Sequence, residues 1–244
     1  MTTKDRRSIA HSIQGKLLFY FLALSLLPLI IVSVLTFVQS QKSLKERVTG
    51  ELSRLADIQS QAVDDWMAGR SKDIKVIVGA ARIKSMDPVQ AKAAIDLYFA
   101  EWKIYETIFV VGLDGKSIAT SDNNPLNLAD REYVRLGLQG EASTSQPVIS
   151  KASGNPIIVF AAPIVVEDKI VGVAGVTVTT RFISEILAAA RMGDTGEVYL
   201  IDQNGVLITP SRFEKDLLAA GLIDKRSDLE LQIDTYASQN VLAG

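Results

Sequence analysis

One long uncharged stretch near the start of the chain reads Leu17-Leu-Phe-Tyr-Phe-Leu-Ala-Leu-Ser-Leu-Leu-Pro-Leu-Ile-Ile-Val-Ser-Val-Leu-Thr-Phe-Val38. At a rise of ~1.5 Å per residue, a helix of this length crosses the hydrocarbon core of a bilayer, which is about 30 Å thick. A cleaved signal peptide would have a shorter apolar core followed by a small-residue cleavage site. Here the run continues directly into Gln39-Ser40-Gln41-Lys42. We therefore expect residues 17–38 to be a retained transmembrane helix in the plasma membrane.

The charges before this stretch indicate its orientation. Residues 1–16 contain four basic side chains and a single acid. Basic residues beside a membrane helix favour the cytoplasmic side. We therefore expect residues 1–16 to be a cytoplasmic tail and everything after Val38 to be extracytoplasmic, which in a bacterium means periplasmic.

The composition excludes several classes of site. The 244 residues carry a net charge of −2 and no cysteine, so disulfides and thiolate metal sites are absent and nothing favours nucleic-acid binding. The single histidine, His11, precedes the apolar stretch, which removes histidine-based triads and zinc sites from the folded part. The sequence has neither a nucleophile elbow nor a phosphate loop. We expect no catalytic residue, metal or cofactor in this region.

Residues 39–82 have the pattern of a long helix. Leu44, Val48, Leu52 and Leu55 recur three to four residues apart, with charged residues on the other faces. A helix of this length that leaves a membrane is either a stalk or one half of a coiled coil. Pairing with a second copy would bury the apolar stripe, so we expect a homodimer.

The following region alternates helices and strands and predicts an α+β fold. Asp87 and Pro88 are typical of a helix start, and this helix should run to about Lys103. Asp130 should cap a short helix, 131–138, and a further helix should cover 181–190. Between them we predict strands that pair in an antiparallel meander, at Thr107–Leu113, Lys116–Ser121, Ser145–Ser150, Pro156–Val165 and Lys169–Thr179.

A hairpin pattern occurs twice. The segment Phe109–Ser121, with Asp114-Gly115 at its turn, lines up with Tyr199–Ser211. Such a repeat predicts two related modules of about ninety residues each. A lone hairpin cannot bury both of its faces, so we expect the second module to be truncated in this chain. The expected organisation is a membrane-distal module at 83–190 and the start of a membrane-proximal module at 191–244.

The order of these elements resembles the extracytoplasmic double Cache sensor domain of bacterial transmembrane receptors, which include chemoreceptors, sensor histidine kinases and cyclic-dinucleotide enzymes. Three local stretches carry the resemblance between Ser40 and Ser211: Asp130-Arg-Glu-Tyr133, Gly154-Asn-Pro-Ile-Ile-Val-Phe-Ala-Ala-Pro163 and Gly193-Asp-Thr-Gly-Glu-Val-Tyr-Leu-Ile-Asp202. The resemblance implies tandem PAS-like antiparallel sheets, with the ligand in the distal one.

The resemblance also implies site residues. Amino-acid-binding members hold the carboxylate with an arginine and aromatic residues of the short helix, and the amine with an aspartate on the last strand. Arg131 matches the arginine, and Tyr133 stands where the motif has tryptophan. The aspartate's place falls on Thr177, and the next aromatic is Val134. Without an anchor for an amine, a small organic anion is the expected ligand.

Each candidate residue also has a structural interpretation. Arg131 could instead form an ion pair with Asp130, Glu132 or Glu141, and Tyr133 could simply pack under the meander. If side chains alternate along the strands, five more residues should point into the distal pocket. These residues are Phe109, Val111, Phe160, Ala162 and Thr177. For the two phenylalanines, core packing is the favoured interpretation.

These observations favour a transmembrane receptor that senses a small ligand outside the membrane and passes its state to an output domain beyond residue 244. The output class, and whether the full-length protein is an enzyme such as a kinase or cyclase, is left open. The alternatives are a ligand-independent module that mediates dimerisation and a membrane-anchored enzyme, for which no motif is found.

Overall fold

The computed structural model describes residues 13–188, 196–235 and 238–239. The chain divides at Ile58 into two compact units. Helix α1 (Ile13–Gly79) runs without interruption through the apolar stretch and the predicted stalk, with Pro28 inside it. Within the described residues, this one helix is long and apolar enough to cross a membrane, and its apolar window is entirely unburied.

Two short breaks separate α1 from the next helices. Helix α1 ends at Gly79 rather than at residue 82, because Ala80 has an extended backbone before α2 (Ala81–Lys84) begins. Helix α3 (Pro88–Glu101) starts as predicted, with the Asp87 side chain accepting a hydrogen bond from the Gln90 N–H at 2.9 Å. This cap satisfies one of the free N–H groups of the first turn.

The described residues form an antiparallel sheet of the strands β1 (Thr107–Val111), β2 (Ser117–Thr120), β3 (Ser143–Thr144), β4 (Val148–Ile149), β5 (Pro156–Val166) and β6 (Lys169–Thr179). The strand order is β2-β1-β6-β5-β3, with β4 also paired to β5. The long central strands β5 and β6 pair along their whole length. The predicted strand 145–150 is instead two short strands, separated by a segment that contains Pro147, which has no N–H for the sheet.

Both faces of this sheet are covered. One face packs against α1, α2 and α3 in a core that includes Ile77, Ile95, Ile108 and Phe160. The other face packs against α4 (Glu132–Leu138). The sheet is therefore buried on both sides, which explains why β5 reads as a nearly continuous apolar run rather than an alternating one.

The two predicted hairpins share one turn geometry. At the first, the Gly112 N–H donates to the Lys116 carbonyl (3.0 Å) and the Gly115 N–H to the Gly112 carbonyl (3.0 Å). At the aligned positions of the second, the Asp202 N–H donates to Val206 (2.8 Å) and the Gly205 N–H to Asp202 (3.0 Å). Both turn glycines have positive φ, 72° and 78°. This shared turn supports the repeat inferred from the sequence.

The remaining part is less regular. Helix α5 (Thr180–Leu187) follows β6, and the predicted end of this helix lies outside the described residues. The second hairpin forms single bridges, Ile201 with Leu207 and Val206 with Gln232, in place of full strands. Helix α6 covers Glu214–Ala219.

Candidate ligand site

Helix α4 starts one residue later than the sequence indicated. Arg131, not Asp130, is its N-cap residue, with an extended backbone and no side-chain capping bond. The Asp130 carboxylate instead accepts a hydrogen bond from the Lys151 ammonium at 2.5 Å. This hydrogen bond holds the pKa of Asp130 below its usual value. Asp130, the expected helix cap, therefore connects the start of α4 to the segment that contains Lys151.

Arg131 takes part in the same connection. Its Nη2 donates to the Ile149 carbonyl at 2.8 Å, and Lys151 also donates to the Asn127 carbonyl at 2.8 Å. We call this set of contacts between residues 127–131 and 149–151 the clasp. Among the described residues, Arg131 forms no ion pair with Asp130, Glu132 or Glu141. Its Nε is buried without a hydrogen-bond partner, so the guanidinium has an unused donor.

Tyr133 lies under α4 against the sheet. The side chain is buried, and its ring centroid is 6.1 Å from that of Phe109 on β1. Burial raises the pKa of Tyr133 to about 12. Val111 lies on the same face, in the same apolar cluster. These contacts fit both of the roles considered above for Tyr133, stacking on a ligand and packing in the core.

Thr177 connects β6 to β1 through its side-chain hydroxyl. Its hydroxyl accepts a hydrogen bond from the Thr107 N–H at 2.9 Å, where β1 and β6 pair Thr107 with Thr177. The hydroxyl is buried and donates in turn to the Thr107 carbonyl at 3.3 Å. A ligand contact at Thr177 would therefore compete with a bond that holds the sheet together.

Removing this hydroxyl should destabilise the sheet. Thr177→Val keeps the side-chain shape but leaves the Thr107 N–H buried without a partner, which costs about 1–3 kcal/mol. Urea unfolding followed by tryptophan fluorescence measures this loss. Thr177→Ser keeps the hydroxyl and should cost less than Thr177→Val; the opposite order would contradict the assigned role.

Phe160 and Ala162 lie on the other face of the sheet. Strand β5 pairs Val159 with Thr177 and Phe160 with Val176, so Val159 and Ala161, not Phe160 and Ala162, face α4. Phe160 instead lies 6.1 Å from Trp66 of α1. This corrects the expectation that all five strand residues point into one pocket.

The space between α4 and the sheet is narrow. The cavity there has a volume of about 20 Å³ and is lined on the sheet by Phe109, Ile157 and Thr177, with Tyr133 and Ser150 on the opposite wall. Such a volume holds about one water molecule. Lys151 also borders it, and this residue was missed because nothing in a lone loop lysine indicates which segment it contacts. An organic ligand requires the clasp to open.

The sequence and the fold are similar to those of known proteins. A family model described as a Cache domain matches residues 40–242. The chain is 21% identical over 181 residues to the methyl-accepting chemotaxis protein PscA of Pseudomonas syringae pv. tomato, covering 70% of this chain. It spans only 28% of the length of that relative.

Three solved structures have a similar fold. The ligand-binding domain of Campylobacter jejuni chemoreceptor Tlp3 in complex with 4-methylisoleucine has a TM-score of 0.56 at 14% identity, over 67% of this chain and 69% of that one. The ligand-binding domain of Pseudomonas fluorescens chemoreceptor CtaA in complex with L-serine has a TM-score of 0.59 at 17% identity, over 69% of this chain and 74% of that one. The sensor domain of the V. cholerae histidine kinase DctB has a TM-score of 0.57 at 16% identity, over 67% of each chain. These similarities concern the fold.

The family assignment rests on the extent of the match. The family model spans nearly all of the chain after the apolar stretch, including the sheet, α4 and the second hairpin. The order of helices and strands agrees with the expected α+β fold, a long N-terminal helix followed by an antiparallel sheet. The resemblance inferred from the sequence is thereby confirmed, and the chain belongs to the Cache domain family.

Proposed function

We propose that this chain is the sensing part of a transmembrane receptor, with a small-molecule site between α4 and the sheet. The observation that carries the proposal is the clasp: Arg131 and Lys151 join residues 127–131 to 149–151, and Lys151 also borders the cavity on the sheet face that α4 covers. The buried, unpartnered Nε of Arg131 supplies a further donor. The Tlp3 and CtaA domains, which share the fold, hold amino acids.

A carboxylate without an ammonium group is the ligand class that these residues favour. The guanidinium fork of Arg131 matches a carboxylate in geometry and charge. Thr177, which stands at the place of the family's amine-binding aspartate, is uncharged and already bonded to Thr107. A small organic anion can therefore replace the Ile149 carbonyl and the Asp130 carboxylate as partners of the two cations.

A membrane location and a two-module organisation complete the proposal. Residues 17–38 span the membrane with the N-terminus inside, 83–190 form the distal module and 191–244 begin the proximal one. Protease added to spheroplasts, whose outer membrane has been removed, should then cut the chain after Ser40. Protection of that region would contradict the orientation.

Pairing of α1 with a second copy is part of the same proposal. Leu44, Val48 and Leu52 are 64%, 44% and 51% exposed. A second helix would remove this stripe from water. The chain has no native cysteine, so Leu44→Cys or Val48→Cys should crosslink under oxidation if two stalks meet, and absence of a crosslinked dimer would contradict the pairing.

A short path connects the site to α1. The Thr107 N–H bonds to Thr177 in the site, and two residues earlier the Tyr105 hydroxyl donates to Asp73 of α1 at 2.6 Å. A ligand can change the receptor only by its different affinity for two states. We infer that a closed and an open clasp are those states, and that the start of β1 transmits the difference to α1.

Ligand binding is tested by thermal unfolding of the full chain in detergent with a panel of carboxylates and amino acids. A ligand at a hundred times its Kd stabilises the folded state by about 2.7 kcal/mol. Arg131→Gln removes a charge-assisted bond of about 1.5–3 kcal/mol and should weaken binding by about ten- to a hundredfold. Arg135→Gln removes the same charge from the exposed side of α4 and should change nothing.

Two outcomes would contradict the proposal. Equal shifts in the wild type and Arg131→Gln would remove Arg131 from the site. If no compound raises the unfolding temperature, the chain is better explained as a ligand-independent dimerisation module. The small volume of the cavity under α4 is the observation that favours this alternative.

A further inference from the structure

A second cavity lies where the start of α5 meets the segment 210–228. Its volume is about 240 Å³, and charged residues of both segments line it, among them Arg181, Glu214, Arg226 and Asp228. None of its lining residues borders the cavity under α4. We call this space the junction cleft. It has room for a small organic molecule as it stands, which the cavity of about 20 Å³ under α4 does not.

The two acids of the junction cleft are already bonded to neighbouring residues. The Glu214 carboxylate accepts hydrogen bonds from the N–H and the hydroxyl of Ser227, at 2.9 and 2.8 Å. The Asp228 carboxylate accepts one from the Thr180 hydroxyl at 2.9 Å. Burial raises the pKa of Asp228, which lowers its tendency to carry a charge. The acids therefore serve to shape the cleft and have little need of a cationic ligand.

The cations of the cleft have no such partners. Within the described parts of the chain, Arg181, Lys225 and Arg226 form no ion pair. The Nη1 atom of Arg226 is buried and has no hydrogen-bond partner. The Arg226 side chain also lines the cleft, where an anionic oxygen could accept a charge-assisted hydrogen bond from the guanidinium.

We propose that the junction cleft binds a small carboxylate anion, with Arg226 as its main partner and Arg181 and Lys225 as additional ones. The three cations outnumber the two acids, so the cleft has an excess of positive charge even if both acids are ionised. The first turn of α5, which Thr179 caps, adds the partial positive charge of a helix start. Binding would connect the end of β6 to the 225–228 segment without involving α4.

Calorimetric titration of the full chain in detergent with malonate, at constant ionic strength, tests the site. Malonate should bind the wild type, and Arg226→Gln should weaken its affinity about tenfold or more, since a charge-assisted bond is lost. Lys215→Gln is the matched control, because Lys215 is exposed, lies one residue from Glu214 and does not line the cleft. Arg181→Gln should also weaken malonate binding. Because Arg181 is exposed, this variant replaces Arg226→Gln in the test if Arg226→Gln fails to fold.

The same titration distinguishes the junction cleft from the α4 site. Performed on Arg131→Gln, it should still show malonate binding that depends on Arg226. The inference is overturned if the affinity falls in Arg131→Gln but not in Arg226→Gln, since the anion then binds under α4. It is equally overturned if Arg226→Gln and Lys215→Gln behave alike, or if the wild type gives no binding heat.

Discussion

Gly175→Ala should destabilise the chain by about 3 kcal/mol, the upper part of the usual range for overpacking a core. Gly175 lies in β6 opposite Phe109 of β1. A Cβ atom at this position would lie 2.2 Å from the tip of the Phe109 ring and under 3.0 Å from its two neighbouring ring atoms. The ring cannot move aside easily, because Phe109 is 1% exposed and packs against Tyr133.

Urea unfolding followed by the fluorescence of Trp66 and Trp102 measures this effect. Gly69→Ala is the control and should stabilise the chain instead. A Cβ at Gly69 in α1 meets nothing within 4 Å, and alanine favours a helix over glycine by up to about 1 kcal/mol. Adding Phe109→Leu to Gly175→Ala should recover part of the loss, since the two residues share one space. Equal stabilities for Gly175→Ala and the wild type would mean that α4 and the sheet are less tightly packed than described.

Asp73→Ala should also have a large effect, about 2–4 kcal/mol, somewhat below the cost of breaking a fully buried ion pair. The Asp73 carboxylate accepts hydrogen bonds from the Tyr105 hydroxyl at 2.6 Å and from Arg70 Nε at 2.9 Å. The Arg70 guanidinium also lies over the rings of Trp66 and Tyr105, at 5.4 and 5.9 Å. Without the carboxylate, a phenol and a guanidinium in a largely buried position lose their shared partner.

Tyr105→Phe separates the two contributions. This change removes the Tyr105 hydrogen bond and keeps the ion pair of Asp73 with Arg70, so it should cost about 1 kcal/mol. If Tyr105 transmits the state of the site to α1, Tyr105→Phe should also reduce any ligand-dependent change in stalk crosslinking while leaving the ligand's Kd nearly unchanged. A stability of Asp73→Ala equal to that of the wild type would contradict the contacts described.

Local signals in the sequence predicted local structure well. The Asp87-Pro88 start of α3 and the glycine turns at Gly115 and Gly205 depend on a few adjacent residues, and each forms as expected. The two long strands were also predicted nearly to the residue, because turn residues bound each apolar run. Such features require no knowledge of which segments meet in space.

The site depended on contacts that the sequence does not encode locally. Strand β5 is buried on both faces, so no alternation of apolar and polar residues indicated which side chains face α4. Phe160 and Ala162 were therefore assigned to the wrong face, and only the pairing of Val159 with Thr177 settles it. Lys151 was missed for the same reason, since its partner Asp130 lies 21 residues away. The junction cleft combines residues 155–156, 179–181, 210–214 and 225–228, and no local pattern indicates that these segments meet.

Backbone hydrogen exchange with and without the ligand found in the thermal panel tests the central claim most directly. Ligand binding under α4 should slow exchange in both 126–138 and 148–155, which contain the two clasp segments 127–131 and 149–151, because the ligand would then connect Arg131 and Lys151. Arg131→Gln should abolish this protection at the same ligand concentration, and Arg135→Gln should retain it. Unchanged exchange in both segments, while the ligand still stabilises the protein, would place the ligand elsewhere and contradict a site between α4 and the sheet.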